Sequence, residues 1–136
     1  MVNLIIRKYE SSVGTELFIS FEDLLWYLYG FARLLLPKEQ YTVDRQGLGK
    51  VTAMIRELHV YGNVAMLQWD NEIKKEWNDK FQHKWFGRQL MEVSEIISKD
   101  SWYKKLSVIS GIWVREYYKK LWYKLEGTYM TKLLKK

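Results

Sequence analysis

The chain has 136 residues, of which 48% are hydrophobic and 28% charged, a balance typical of one soluble globular domain. It has no cysteine and two histidines, which excludes disulfides and thiol nucleophiles within it and disfavours a metal site. No apolar run approaches the roughly 20 residues that a membrane-spanning helix needs, and the N-terminus lacks the features of a signal peptide. We therefore expect one cytoplasmic domain over residues 1–136.

Positive charge is concentrated in the last third of the chain. The net charge is +6, and residues 99–136 hold ten of the 22 Lys and Arg against three Asp and Glu. A one-sided positive field attracts polyanions such as an RNA backbone or a phosphorylated cofactor. A solvated lysine face is the alternative, and the charge pattern leaves both open.

The first half of the chain predicts an antiparallel meander. Short runs of β-branched and aromatic residues are typical of strands, and we expect them at Val2–Arg7, Glu16–Phe21, Leu24–Leu36 and Val51–Tyr61. The polar stretches 38–50 and 63–80 are predicted to be a loop and a long connection.

The second half predicts two helices and three strands. Apolar residues at helical spacing indicate an amphipathic helix over Phe86–Ile97. After it we expect, in order, a buried strand, a short helix and two closing strands, at Leu106–Ser110, Val114–Leu121, Tyr123–Leu125 and Tyr129–Leu133.

Three segments carry motifs that belong together: Arg56–Gly62 on the central strand, Phe81–Arg88 opening the first helix, and Ser107–Gly111 followed by Val114–Leu121. In this order they resemble the C-terminal acetyltransferase domain of the catalytic subunit of Elongator. The likeness continues through Tyr123–Met130 and upstream through Gly14–Glu22, so it covers nearly the whole chain. It implies the α/β fold of the GCN5-related N-acetyltransferases, a mixed and mostly antiparallel sheet flanked by helices.

The resemblance implies acetyl-CoA as the cofactor, bound in part by a loop at a helix N-terminus. Backbone N–H groups and the helix dipole favour a pyrophosphate there. In the family the loop reads Gln, two variable residues, Gly, one variable residue, Gly; here Gly87 is the second glycine and Trp85 replaces the first. An ordinary helix start is the alternative reading. The residues assigned to cofactor binding in this segment are Gln82, His83, Phe86, Gly87 and Arg88.

The resemblance also assigns the pantetheine arm and a proton donor. The arm would bind the backbone of Glu57, Leu58, His59 and Val60, on a strand that splays from its neighbour; alternatively Leu58 and Val60 are core residues. Tyr118 resembles the family's tyrosine that protonates the departing thiolate or orients the thioester, since a phenol can act as a general acid. Tyr117 is the adjacent alternative and a further cofactor contact, and packing is the other role open to both tyrosines.

The tryptophans are the anomaly of the composition, seven of them beside only eight glycines. Trp85, Trp113 and Trp122 each stand where the family pattern has glycine, and Trp102, Trp26 and Trp69 are weaker instances, whereas Trp77 is not one. A single cause is more economical than repeated independent substitutions. We therefore hypothesise that these positions are UGA codons, which mean glycine in the source organism and were translated with a table in which UGA means tryptophan. Tryptophan at position 85 would obstruct acetyl-CoA.

The expected function is binding acetyl-CoA and supplying an acetyl unit for the wobble uridine of tRNA, beside a radical S-adenosylmethionine domain or subunit that this chain lacks. One alternative is a free-standing N-acetyltransferase acting on lysine or a small amine. The other is a non-catalytic tRNA-binding or subunit-docking module with a closed cofactor pocket.

Overall fold

A computed structural model, which describes residues 2–38, 52–61 and 79–134, contains a single mixed sheet. In chain order its elements are β1 (Asn3–Glu10), β2 (Gly14–Glu22), β3 (Leu28–Pro37), β4 (Thr52–Val60), α1 (Asp79–Asp100), β5 (Lys105–Ile109), a 3-10 turn (Ile112–Val114), α2 (Arg115–Lys120), β6 (Lys124–Glu126) and β7 (Tyr129–Leu133). The strands lie in the order β1-β2-β3-β4-β5-β7-β6. Only the β4–β5 pair is parallel among the described strands, which confirms the predicted mostly antiparallel sheet.

One face of the sheet carries the core because the strands alternate apolar residues toward it. Leu17 and Ile19 of β2 pair with Leu34 and Ala32 of β3, and all four side chains are buried. The helix α1 covers this face through a set of buried apolar side chains, namely Phe86, Leu90 and Met91. The ring of Phe86 lies 5.0 Å from that of Phe21 and 5.7 Å from that of Tyr29.

Two predicted boundaries are wrong by four residues or more. A turn at Asp23–Tyr27 interrupts the apolar run Leu24–Leu36, because Asp23 Oδ1 accepts hydrogen bonds from the N–H groups of Leu25 and Tyr27. The first helix begins at Asp79 and not at Phe86. The loops predicted at 38–50 and 63–80 lie almost entirely outside the described residues. None of the described helices is both long and apolar enough to cross a membrane.

Candidate functional site

The strands β4 and β5 separate after a short parallel pairing. Their pairing runs from Thr52 opposite Lys105 to Ile55 opposite Val108. Beyond it β4 continues to Val60, paired with β3 on one side, while no described strand pairs with its other side. A strand edge of this kind presents backbone N–H and C=O groups that an extended ligand can pair with. The residues along it are those predicted to bind a pantetheine arm, Glu57, Leu58, His59 and Val60.

Side chains along this extension of β4 follow the alternation expected of a strand. Val60 is buried and Leu58 half-buried against the core. On the opposite face His59 is exposed, with its ring centroid 4.4 Å from that of Tyr61, and Glu57 lies 3.5 Å from Arg33. The two readings made from the sequence are therefore compatible, since core side chains leave the backbone edge open.

The end of β4, the helix α1 and the helix α2 meet at Gly87. A Cβ atom built on Gly87 would collide with Oη of Tyr117 and would lie 3.7 Å from Cγ2 of Val60. A residue with a side chain would fit this position only if the Tyr117 hydroxyl moved away. The structure thus brings together three predicted site residues, Val60, Gly87 and Tyr117, from three separate elements.

The two tyrosines of α2 have different surroundings. Their rings lie 5.2 Å apart in an edge-on arrangement. Oη of Tyr117 is buried and has no hydrogen-bond partner among the described residues. Tyr118 is 6% exposed, with its ring 6.0 Å from that of Tyr123.

Burial raises the pKa of both phenols. It raises the pKa of Tyr118 to about 12, with a smaller contribution from Tyr117. Burial also raises the pKa of Tyr117, which the positive charge of Arg88 offsets in part. A phenol is an acid only while protonated, so both tyrosines hold at neutral pH the proton that a general acid needs.

Two polar groups beside these tyrosines received no role in the sequence analysis. Oγ of Ser110 and Nε of Arg115 are buried without a hydrogen-bond partner in the described part of the chain. Ser110 directly follows β5, Arg115 is the first residue of α2, and Tyr117 lies one half-turn further along α2. Buried polar groups are normally paired, so three unpaired groups in one short segment are what a bound polar ligand would satisfy. Their place inside the quoted motifs was the only signal in the sequence.

The segment Gln82–Arg88 is helical and is not the expected glycine-rich loop. Because α1 begins at Asp79, only its first four N–H groups, up to that of Gln82, lack a carbonyl partner in the helix. The N–H groups of His83 to Arg88 bond within the helix. A pyrophosphate cradle built from these groups is therefore absent from this conformation.

The described side chains of this segment differ in their exposure and contacts. Trp85 is 39% exposed, and its ring contacts those of Phe21 and Phe86 at 5.8 and 5.0 Å. Phe86 is a core residue, and the exposed Arg88 lies 3.8 Å from Glu92. The side chains of Gln82 and His83 lie outside the described part of the structure.

A groove of about 750 Å³ lies elsewhere, between the C-terminal half of α1 and the strands β6 and β7. Its lining includes Glu95, Lys99, Lys132 and the indole of Trp122. No predicted site residue lines it, so it is separate from the candidate site. The residues described contain no cluster of His, Asp or Glu that could hold a metal ion.

The candidate site fits one half of acetyl-CoA and not the other. The open edge of β4 and the unpaired polar groups near α2 suit the amide-bearing pantetheine arm. The helical segment His83–Arg88 does not suit the pyrophosphate, because its N–H groups are already bonded. With tryptophan at position 85, the described residues therefore suit the pantetheine arm of the expected cofactor and do not suit its pyrophosphate.

Comparisons with known proteins agree with the resemblance seen in the sequence. No family model matches the chain. It is 43% identical over 133 residues to Elongator complex protein 3 of Saccharomyces cerevisiae, a match covering 96% of the chain and 23% of that protein. It is 40% identical over 136 residues to the tRNA uridine(34) acetyltransferase of Methanocaldococcus infernus, covering 98% of the chain and 24% of that protein. The chain spans about a quarter of the length of these relatives.

Solved structures give the same result for the fold. The Elp3 of Methanocaldococcus infernus with an N-terminal deletion matches with a TM-score of 0.73 and 39% identity, over 98% of this chain and 30% of that one. Tetrahymena GCN5 matches with a TM-score of 0.53 and 13% identity, over 88% of this chain and 69% of that one. The fold is that of the GCN5-related N-acetyltransferases, as the sequence predicted.

Proposed function

We propose, from the premise that the chain belongs to the Elongator protein 3 family and matches the C-terminal part of its members, that it is an acetyl-CoA-dependent acetyltransferase domain. The observation that carries the proposal is the open edge of β4 beside Gly87 and Tyr117. Acetyl-CoA supplies an activated acetyl thioester. The chain supplies binding, orientation and a protonated phenol.

Each part of the site has one task in this proposal. The backbone of Glu57–Val60 pairs with the pantetheine amides, as a strand edge pairs with an added strand. Gly87 has no side chain, so the hydroxyl of Tyr117 on α2 can lie against α1 next to the end of β4. Arg88, whose side chain is exposed, contributes positive charge for the phosphates, and His83 is a further proposed contact.

Tyr118 is the proposed proton donor, and Tyr117 contacts the cofactor through its hydroxyl, which has no hydrogen-bond partner among the described residues. The structure offers grounds for testing the reverse assignment, because Tyr117 Oη touches Gly87 while Tyr118 packs against Tyr123. Replacing each with phenylalanine, in the chain that also carries Trp85→Gly, distinguishes them. Loss of the proton donor lowers kcat about 10²-fold or more, whereas loss of a binding contact raises KM.

The proposed acceptor is the wobble uridine of tRNA, a substrate named for the archaeal relative. The relatives are about four times as long as the matching region, and the resemblance implies that a radical S-adenosylmethionine domain or subunit performs the chemistry on the uridine. The chain alone is then expected to bind or hydrolyse acetyl-CoA and not to modify tRNA.

Release of free coenzyme A, measured with a thiol reagent, tests this function. Release stimulated by tRNA supports the proposal, and release that requires a lysine peptide or a small amine supports a free-standing N-acetyltransferase. The helical segment at Trp85 favours a third outcome for the chain as written, no release at all, which is expected of a non-catalytic module. Tyr9→Phe, an exposed tyrosine on β1, is the matched control for the tyrosine variants.

A further inference from the structure

Three tryptophans adopt a backbone conformation that favours glycine. Among the described residues, four have φ between 61° and 73°: Gly127, Trp26, Trp102 and Trp122. For a bulky residue a positive φ is an outlier, and the residues other than glycine that tolerate it best are Asn and Asp. None of the four is Asn or Asp.

Trp102 occupies the glycine position of a helix C-cap. The N–H of Trp102 donates to the carbonyl of Lys99, and the N–H of Tyr103 donates to the carbonyl of Ser98, both at 3.0 Å. These two bonds define a Schellman motif at the end of α1, in which the left-handed residue is usually glycine. Trp102 is that residue.

Trp122 occupies the same position at the end of α2. Its N–H donates to the carbonyl of Lys119, and the N–H of Tyr123 donates to the carbonyl of Tyr118, again at 3.0 Å each. The contact between the rings of Tyr118 and Tyr123 is the apolar contact that accompanies this motif. Both described α-helices therefore end on a left-handed tryptophan.

Trp26 occupies the left-handed position of a three-residue hairpin loop. The N–H of Trp26 donates to the carbonyl of Asp23 at 3.0 Å, and the N–H of Asp23 donates to the carbonyl of Tyr27 at 3.2 Å. A type I turn followed by a left-handed residue is the common form of such loops, and that residue is usually glycine.

Burial does not account for these tryptophans. The side chains of Trp26, Trp102 and Trp122 are 74%, 75% and 84% exposed, so the indoles gain little from packing. The three positions are far apart in the chain and share one property, a φ that suits glycine. The backbone at these positions is that of glycine, so the explanation has to account for why the amino acid there is tryptophan.

We infer that positions 26, 102 and 122 are glycine in the protein that the cell makes, encoded by UGA codons that its tRNAs read as glycine. The same inference extends to Trp85 and Trp113, which stand at family glycine positions in the sequence. Trp113 lies in the right-handed 3-10 turn and Trp85 within α1, so backbone conformation alone would not identify them.

Peptide mass spectrometry of the protein isolated from its source organism tests the inference directly. Cleavage after lysine yields the peptides 100–104 and 121–124, which are expected to read Asp-Ser-Gly-Tyr-Lys and Leu-Gly-Tyr-Lys. The peptide 76–80 contains Trp77, which does not stand at a family glycine position, and serves as the control expected to retain tryptophan. Tryptophan in both test peptides, or UGG codons at positions 26, 102 and 122, would overturn the inference.

A second measurement uses the polypeptide with tryptophan at these positions and does not depend on the gene. Trp102→Gly should raise the melting temperature by several degrees, because glycine removes the cost of a Cβ at positive φ. Trp102→Ala removes the same indole but keeps the Cβ, so it should give little or no increase. Equal melting temperatures for the two variants would contradict the requirement for glycine.

Discussion

The two ends of α1 respond differently to a tryptophan at a position where glycine is expected. At the C-terminal end Trp102 keeps the left-handed conformation of glycine. Near the N-terminal end Trp85 lies inside the helix, which begins six residues earlier at Asp79. Tryptophan is thus found at a positive φ at one end and in helical conformation at the other.

The difference follows from what fixes the backbone at each end. Around Trp102 the backbone is held in the left-handed conformation by the two Schellman hydrogen bonds and by the strand β5, which begins three residues later. Around Trp85 no such cap is found among the described residues, and tryptophan favours the helix over glycine by a few tenths of a kcal/mol. The C-terminal end of α1 therefore keeps a conformation that suits glycine, whereas the candidate phosphate-binding segment at the N-terminal end is helical.

The largest expected effect tests whether the C-terminal half of α1 is anchored as this comparison requires. Leu90 is fully buried between α1 and the sheet. Leu90→Ala should lower the free energy of unfolding by about 2–5 kcal/mol, because it removes buried methyl groups and leaves a cavity. Urea denaturation measures it, and a loss well below about 1 kcal/mol would show that α1 is not anchored there.

Alkaline pH tests the burial of Tyr118, whose ring contacts Tyr123 beside the helix cap at Trp122. Because the pKa of Tyr118 is raised to about 12 in the folded protein from about 10 in the unfolded chain, this group's contribution is complete below pH 10 and is lost as the pH rises through about 12. The loss is on the order of 2 kcal/mol. Tyr118→Phe should flatten the fall in stability over this range, and Tyr9→Phe should not; identical slopes for all three proteins would refute the burial of Tyr118.

The smallest expected effect concerns Trp85 itself. Trp85→Gly should lower stability by a few tenths of a kcal/mol, since glycine disfavours a helix interior more than tryptophan does, and should speed amide hydrogen exchange over residues 79–85. Trp85→Ala, which also removes the indole but suits a helix, should leave that exchange slow. A rise in stability for Trp85→Gly, like that expected for Trp102→Gly, would abolish the contrast between the two ends of α1.

Much of the fold could be predicted from the sequence because alternating apolar residues determine the strands of the core. The pairing of Leu17 and Ile19 with Leu34 and Ala32 follows from that pattern. The start of α1 could not be predicted in this way, because residues 79–85 lack the apolar spacing that marks Phe86–Ile97. The turn at Asp23 was missed because its signal, an Asp side chain that bonds the backbone, lies beside an apolar run.

The candidate site was only partly predictable for a different reason. The motifs named Val60, Gly87 and Tyr117, yet their meeting at one point depends on how α1 and α2 pack on β4. Ser110 and Arg115 became candidates only because the structure buries their polar atoms without a hydrogen-bond partner in the part of the chain that it describes. The left-handed conformations of Trp26 and Trp102 strengthen what the sequence had indicated weakly at these positions.

Calorimetric titration of acetyl-CoA most directly tests whether the chain is an acetyl-CoA domain obstructed at Trp85. The two proteins to compare are the chain as written and the same chain carrying Trp→Gly at positions 26, 85, 102, 113 and 122. We expect the glycine form to bind at least about tenfold more tightly, a difference of about 1.4 kcal/mol or more, with most of the gain reproduced by Trp85→Gly alone. Equally tight binding by both proteins, or no binding by the glycine form, would contradict this account.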